Sequence, residues 1–176
     1  MMLTGPGGAN RAGRARLGAM EQSEPALPHE GNSWAWCRVE FDEAAATVVV
    51  RERIRLADTD SSGRIYYGTV TEWFNRAQAE LWFALGFRQA GLLPTPMMPV
   101  VNANITYRAA LLLGDEYTLR AWIEAAGRTS LTVGFEVTKA GQVCVEATMT
   151  HVHLDPGTLE PASLPQPFLD AAHHQR

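Results

Sequence analysis

Hydrophobic and polar residues alternate along most of the chain, which is the pattern of strands buried on one face. WAWCRVEF from Trp34 to Phe41 and TVVVRERIRLA from Thr47 to Ala57 flank a turn at Asp42 and Glu43, and together predict a hairpin. In its second strand Val48, Val50, Ile54 and Leu56 share one face, and Arg51, Arg53 and Arg55 the other. After Gly68 the period changes to 3.6: Val70, Trp73, Phe74, Ala77, Leu81, Ala84 and Leu85 fall on one helical stripe. The spacing predicts a helix over 70–85, about 24 Å long at the standard rise. Thr69 and Glu72 form a capping-box pattern at its start, and Gly86 is placed for a left-handed turn at its end. Trp82 and Phe83 widen the apolar arc, so more than one side of the helix is expected to be covered. Four more strands are predicted, Val100 to Tyr107, Glu116 to Glu124, Ser130 to Thr138 and Val143 to Leu154, with turns at Gly114-Asp115, Gly127-Arg128 and Ala140-Gly141. The order is that of an α+β domain, one long helix against a single, largely antiparallel sheet.

The flanks carry no such period. Residues 1–32 are rich in Gly, Ala, Pro and Arg and are expected to form a disordered tail. That opening superficially resembles a transit peptide, and Met20 is an alternative start to Met1. Residues 156–176, with four prolines, are expected to be a flexible C-terminal tail, leaving a domain over 33–155. Apolar residues make up 46% of the 176 and charged residues 19%, with a net charge of −4, a globular composition that argues against nucleic acid or anionic lipid as partner. No stretch approaches the roughly 20 apolar residues of a membrane helix, and the first twenty contain no secretory apolar core. A cytoplasmic protein is expected. Cys37 and Cys144 give neither a metal spacing nor a disulfide framework and are expected to be reduced. Lys139 is the only lysine, so the basic surface is one of arginines, whose guanidinium forks suit phosphates.

The serine-hydrolase elbow, the P-loop, the H-E-x-x-H zinc pattern and C-x-x-C are all absent. What stands out is Asp58-Thr59-Asp60-Ser61-Ser62-Gly63-Arg64-Ile65-Tyr66-Tyr67-Gly68, between strand and helix. It sets two carboxylates and two glycines at a helix N-terminus, whose unpaired N–H groups and dipole favour developing negative charge. A plain helix-capping turn is one reading. A calcium loop is another, since D-x-D-x-S-G-x-I copies the start of an EF-hand, but Thr69 stands where the bidentate Glu belongs and a strand precedes the loop.

The run R-I-R-L-A-D-T-D-S-S-G-R-I-Y-Y-G-T-V-T-E-W-F resembles the signature of hotdog-fold acyl-CoA thioesterases of the 4-hydroxybenzoyl-CoA thioesterase and YbgC-like type. The likeness continues through Met98-Pro99-Val100-Val101, Tyr107, Gly114-Asp115, Gly127-Arg128-Thr129-Ser130 and His151-Val152-His153. It implies a hotdog fold with an extra N-terminal strand, pairing into a homodimer and further into a homotetramer. It also implies hydrolysis of an acyl-CoA or acyl-carrier-protein thioester, aromatic or medium-chain, with no cofactor beyond the coenzyme A of the substrate and no metal. Asp60 corresponds to the catalytic acid, nucleophile or general base. Tyr67 and Gly68 stand at the helix entrance, where the Tyr67 N–H would face the thioester oxygen. Gly63 would permit the turn between them, and Arg128, Ser130 and Arg64 are candidates for coenzyme A.

Several positions depart from the family pattern. Tyr67 replaces the His usual in YbgC-like members, Thr69-Val70 replaces Asn-Tyr, and Asn75 and Gln78 replace helix Glu and Arg. Another hotdog branch takes its catalytic Glu from the helix, which makes Glu72 and Glu80 rivals to Asp60. Arg108 is a further phosphate candidate. His151 and His153 are expected to be satisfied strand-end residues, and Trp34, Trp36, Trp73 and Trp82 core or interface residues, with Trp73 able to line an acyl pocket. A non-catalytic acyl-CoA binding module remains the alternative function.

Overall fold

The computed structural model describes residues 37–87 and 96–173. The expected tail over 1–32, Trp34 and Trp36 lie outside them. Six strands form one antiparallel sheet: β1 (Cys37–Asp42), β2 (Thr47–Arg53), β3 (Val100–Tyr107), β4 (Glu116–Ala126), β5 (Ser130–Lys139) and β6 (Gln142–Val152), in the spatial order β1-β2-β4-β5-β6-β3. Helix α1 (Thr69–Ala84) follows β2, and a short helix α2 (Gln166–His173) follows β6.

The core lies where the inward residues of β2, β4, β5 and β6 meet α1. Val70, Trp73, Phe74, Ala77, Leu81 and Trp82 are buried on the helix, opposite Leu119, Ala121, Ile123, Val133, Phe135, Val137 and Val145 on the sheet. Trp73 stacks on Tyr117 with centroids 4.4 Å apart and Phe74 on Phe135 at 4.6 Å, offsets in the favourable range for aromatic pairs. Gly86 adopts the expected positive φ of 89° that ends the helix.

Four local expectations are corrected. First, β2 ends at Arg53 and a 3-10 turn over Leu56–Asp58 follows, so Leu56 is 74% exposed instead of facing the core. The buried face of β2 includes Glu52, whose carboxylate is held by Arg55, by Arg76 at 3.3 Å and by the Tyr117 hydroxyl at 3.1 Å. A buried charge needs such partners. Second, the capping box does not form: Thr69 lies inside α1 and donates its hydroxyl to the Asp58 carbonyl at 3.2 Å, while Gly68 is the N-cap. Third, Phe83 is exposed, so the wider apolar arc rests on Trp82 alone. Fourth, residues 156–176 do not form an open tail throughout: α2 buries Phe168 and Ala171, with Phe168 packed edge-on to Trp82 at 4.8 Å and stacked on Phe87 at 4.6 Å.

Candidate active site

The loop from Asp58 to Gly68 folds back on itself as a narrow hairpin. Tyr66 N–H donates to the Asp58 carbonyl at 2.9 Å, Asp60 N–H to the Arg64 carbonyl at 2.8 Å, and Gly63 N–H to the Asp60 carbonyl at 3.0 Å. Gly63 takes φ = 73°, as the turn requires of a residue without Cβ. The hairpin is fastened to the segment before β4 by Ile65 N–H to the Leu111 carbonyl at 3.1 Å and Leu113 N–H to the Gly63 carbonyl at 3.0 Å. Its position at the start of α1 is thus held by main-chain bonds on both sides.

The two carboxylates have different tasks. Asp58 accepts from Arg55 N–H through Oδ2 at 2.8 Å and from the Trp73 indole through Oδ1 at 3.4 Å, and its carbonyl takes the two bonds already described. Both of its oxygens are turned to structure. Asp60 is exposed and uses only Oδ1, which accepts Ser62 N–H at 2.7 Å and the Ser62 hydroxyl at 2.6 Å. These bonds, with Arg64 nearby, hold its carboxyl below the ordinary aspartate value. Asp60 is therefore a carboxylate with an oxygen to spare, as a nucleophile or base must be. Replacing Asp58 with Ala should lower stability by about 1–3 kcal/mol, because the Arg55 and Trp73 donors lose their acceptor; urea unfolding monitored by tryptophan fluorescence measures it.

At the helix entrance, Tyr67 N–H and Gly68 N–H have no acceptor among the described residues. The peptide carrying the first is held by Thr69 N–H, which donates to the Tyr66 carbonyl at 2.9 Å. Gly68 is needed for space as well: a Cβ there would lie 2.8 Å from the Tyr66 ring. Tyr66 and Tyr67 pack at 4.5 Å and leave their rings half or more exposed. The arrangement is a carboxylate and two successive N–H donors on one short loop, a set suited to a carbonyl that becomes an oxyanion.

Of the remaining candidates, Arg64 stays on this loop, with Nη1 3.5 Å from the Ser62 hydroxyl. Arg128 and Ser130 do not join it. They flank the β4–β5 turn, whereas the Asp60 loop adjoins the other end of β4 through the bond from Leu113 N–H to the Gly63 carbonyl at 3.0 Å, three residues before the strand begins. An eleven-residue strand separates the two ends, about 33–37 Å at the rise of an extended chain. Glu72 is exposed on the first turn of α1, and Glu80 lines a cavity of about 190 Å³ beside Val39 and Val50. Arg108 is engaged by Glu146 at 2.7 Å. The geometry does not favour the calcium reading, because both Asp58 carboxylate oxygens are already taken by Arg55 N–H and the Trp73 indole.

His151 is buried and satisfied, as expected: Nδ1 lies 2.9 Å from the Met98 carbonyl, and the Gln78 carboxamide 2.9 Å from Nε2. Burial pushes its pKa down. A carbonyl only accepts, so the proton sits on Nδ1, and on a neutral ring the amide end of Gln78 must face Nε2. His153 Nδ1 is 2.7 Å from the Ser163 carbonyl. Sequence reasoning missed Tyr107 as a neighbour of the site. Its hydroxyl donates to the Tyr67 carbonyl at 2.5 Å, a contact over forty residues that no local signal announces.

One long helix on the inner face of a single antiparallel sheet, with an acid-bearing loop at its entrance, defines a hotdog-fold protein. The family model described as "Thioesterase superfamily" matches residues 62–146, in keeping with the resemblance carried by the loop sequence, and the enzyme is a thioesterase. It is 27% identical over 119 residues to "Putative acyl-CoA thioesterase YneP" of Bacillus subtilis (strain 168), covering 66% of this chain and 86% of that one. It is 24% identical over 119 residues to the 1,4-dihydroxy-2-naphthoyl-CoA hydrolase of Synechococcus sp. (strain CC9605), covering 64% and 80%. Among solved structures, BH1999 gentisyl-coenzyme A thioesterase superposes with a TM-score of 0.62 at 23% identity, over 70% of this chain and 98% of that one. The 1,4-dihydroxy-2-naphthoyl-CoA thioesterase Slr0204 from Synechocystis superposes with a TM-score of 0.58 at 22% identity, over 72% and 96%.

Proposed function

We propose that the protein hydrolyses an aromatic acyl-CoA thioester to the free acid and coenzyme A, without a metal or further cofactor. The observation that carries this reading is the division of labour in the loop: Asp58 is consumed by structure, while Asp60 keeps a free oxygen on the same short loop as the two N–H groups of Tyr67 and Gly68, which have no acceptor among the described residues. As nucleophile, Asp60 adds to the thioester carbon. The carbonyl oxygen becomes an oxyanion facing the helix-entrance N–H groups, the C–S bond breaks, and coenzyme A leaves as a thiolate that takes a proton. Water then hydrolyses the mixed anhydride and restores the carboxylate. As general base, Asp60 instead removes a proton from the attacking water, and the same oxyanion forms. The exposed rings of Tyr66, Tyr67 and Tyr107 offer stacking surface to an aromatic acyl group, in keeping with the naphthoyl and gentisyl substrates in the names of relatives.

The functional unit in this reading is a homodimer, and further a homotetramer. Strand β3 is a sheet edge whose Val100, Val101 and Tyr107 are 50%, 59% and 45% exposed, and an open edge of that kind invites pairing with a second copy. Arg128 and Ser130, remote from Asp60 within one chain, would then serve coenzyme A at the site of a second copy, with Arg64 acting in its own. A cytoplasmic location suits this substrate, and no helix among the described residues is long and apolar enough to cross a membrane.

The test is thiol release from a panel of hydroxylated aromatic and medium-chain acyl-CoAs, with the matching acyl-carrier-protein thioesters alongside. Aromatic acyl-CoAs should show kcat/KM at least about tenfold above octanoyl-CoA, the scale on which pocket contacts discriminate. Saturable acyl-CoA binding with no thiol released from any substrate would overturn hydrolysis in favour of the binding module.

A further inference from the structure

We infer that Tyr107 is a positioning residue of this site, aiming and strengthening the Gly68 N–H as a second oxyanion donor beside Tyr67 N–H; this rests on the thioesterase reading above. The argument begins with the peptide unit joining Tyr67 to Gly68. It is planar and trans, so its C=O and its N–H point in opposite directions. The carbonyl end of that unit is held by the Tyr107 hydroxyl at 2.5 Å. Fixing the carbonyl fixes the direction of the N–H, which finds no acceptor among the described residues. A hydrogen bond to the carbonyl also polarises the amide and makes its N–H a better donor.

Among the described residues nothing else performs this task. The carbonyls on either side already have main-chain or local partners: Tyr66 C=O takes Thr69 N–H at 2.9 Å and Gly68 C=O takes Thr71 N–H at 3.2 Å and the Thr71 hydroxyl at 2.6 Å. Only Tyr67 C=O, between them, is held by a side chain from a distant strand. Tyr107 ends β3, opposite Val145 of β6, so the sheet itself sets the place of the hydroxyl. Partial burial and the neighbouring Tyr67 raise its pKa, which keeps it a donor across the working range. Both donors at the helix entrance are thereby fixed before substrate arrives, and preorganisation of that kind is what lowers the barrier to an oxyanion.

Tyr107→Phe keeps the ring and removes the hydroxyl. On an aromatic acyl-CoA it should lower kcat about tenfold, by the scale of one hydrogen bond, and leave KM within about twofold, since the lost interaction strengthens only as the oxyanion forms. In the ¹⁵N–¹H spectrum of the substrate-free protein, the Gly68 amide should move upfield more than any amide outside β3, while the dispersion of the other signals shows the fold intact. Unchanged kcat in a wild type that turns over would overturn the inference. So would an unmoved Gly68 amide, and that readout decides even if wild type releases no thiol, an outcome that would separately remove the thioesterase reading.

Discussion

Asp60→Ala is expected to lower kcat/KM for thioester hydrolysis by about 10²–10⁴-fold, the range for removing a side chain that carries the nucleophilic or proton-transfer step. Its melting curve should stay close to that of wild type. The two halves of this expectation come from the same geometry. Asp60 sits at the exposed tip of the hairpin and its side chain bonds only to Ser62, so little of the fold depends on that side chain, and its main-chain bonds to Arg64 and Gly63 survive in Ala. Asp58, two residues earlier, anchors the Arg55 N–H and the Trp73 indole, so its loss should appear first in stability. Side-by-side measurement of thiol release and thermal unfolding for both variants separates the roles. Equal turnover in Asp60→Ala would remove Asp60 from the chemistry and return Glu72 and Glu80 to consideration.

The pH profile adds an independent check on the same residue. The Ser62 hydroxyl and N–H hold the Asp60 carboxyl below its ordinary value, so the charged, reactive form persists as pH falls past the usual aspartate range of about 3.9. The acid limb of kcat/KM, which reports the free enzyme, should therefore lie below that range. Ser62→Ala removes the first cause of the shift and should move the limb upward. A limb that does not respond to Ser62→Ala would show that another group titrates.

How much of the geometry of this candidate site is legible in the sequence depends on whether each relationship is local. Asp60, Gly63, Tyr67 and Gly68 stand in one turn whose chemistry is written in consecutive residues, and the strands and helix around it follow from periods of two and 3.6. Glu52 has the parity of Val48 and Val50 but not their chemistry, and its place in the core becomes intelligible only with Arg76 of α1 and Tyr117 of β4, which carry it across the chain. Tyr107 meets Tyr67 because β3 lies beside β6 at the sheet edge, a matter of strand order that periodicity does not encode. Arg128 shows the converse error: a residue type suited to phosphate can be recognised in the sequence, but its distance from Asp60 follows from the length of β4. The C-terminal segment was misjudged because prolines mark where a chain leaves an element, not whether the next few residues find a surface to cover.

That surface gives the largest expected effect on stability. Phe168→Ala should lower the unfolding free energy by about 3–5 kcal/mol, the usual cost of emptying a fully buried aromatic site. Phe168 is 0% exposed, with Trp82 against one side of the ring and Phe87 stacked at an interplanar angle of 14°. Removing it leaves a gap beside Trp82, whose ring also packs edge-on against His151 with centroids 5.9 Å apart and is held there. An eight-residue helix is too short to persist in water by its own hydrogen bonds, so α2 should detach and uncover Leu164 and Ala171 as well. Domains are stable by only about 5–15 kcal/mol, so the loss is a large share of the total, and urea unfolding of Phe168→Ala against Phe168→Leu would resolve it. A change under about 1 kcal/mol would show that α2 adds little to the fold. Because α2 meets the C-terminal end of α1 and the Asp60 loop its N-terminal end, kcat measured well below the melting temperature should survive the substitution that costs the most stability.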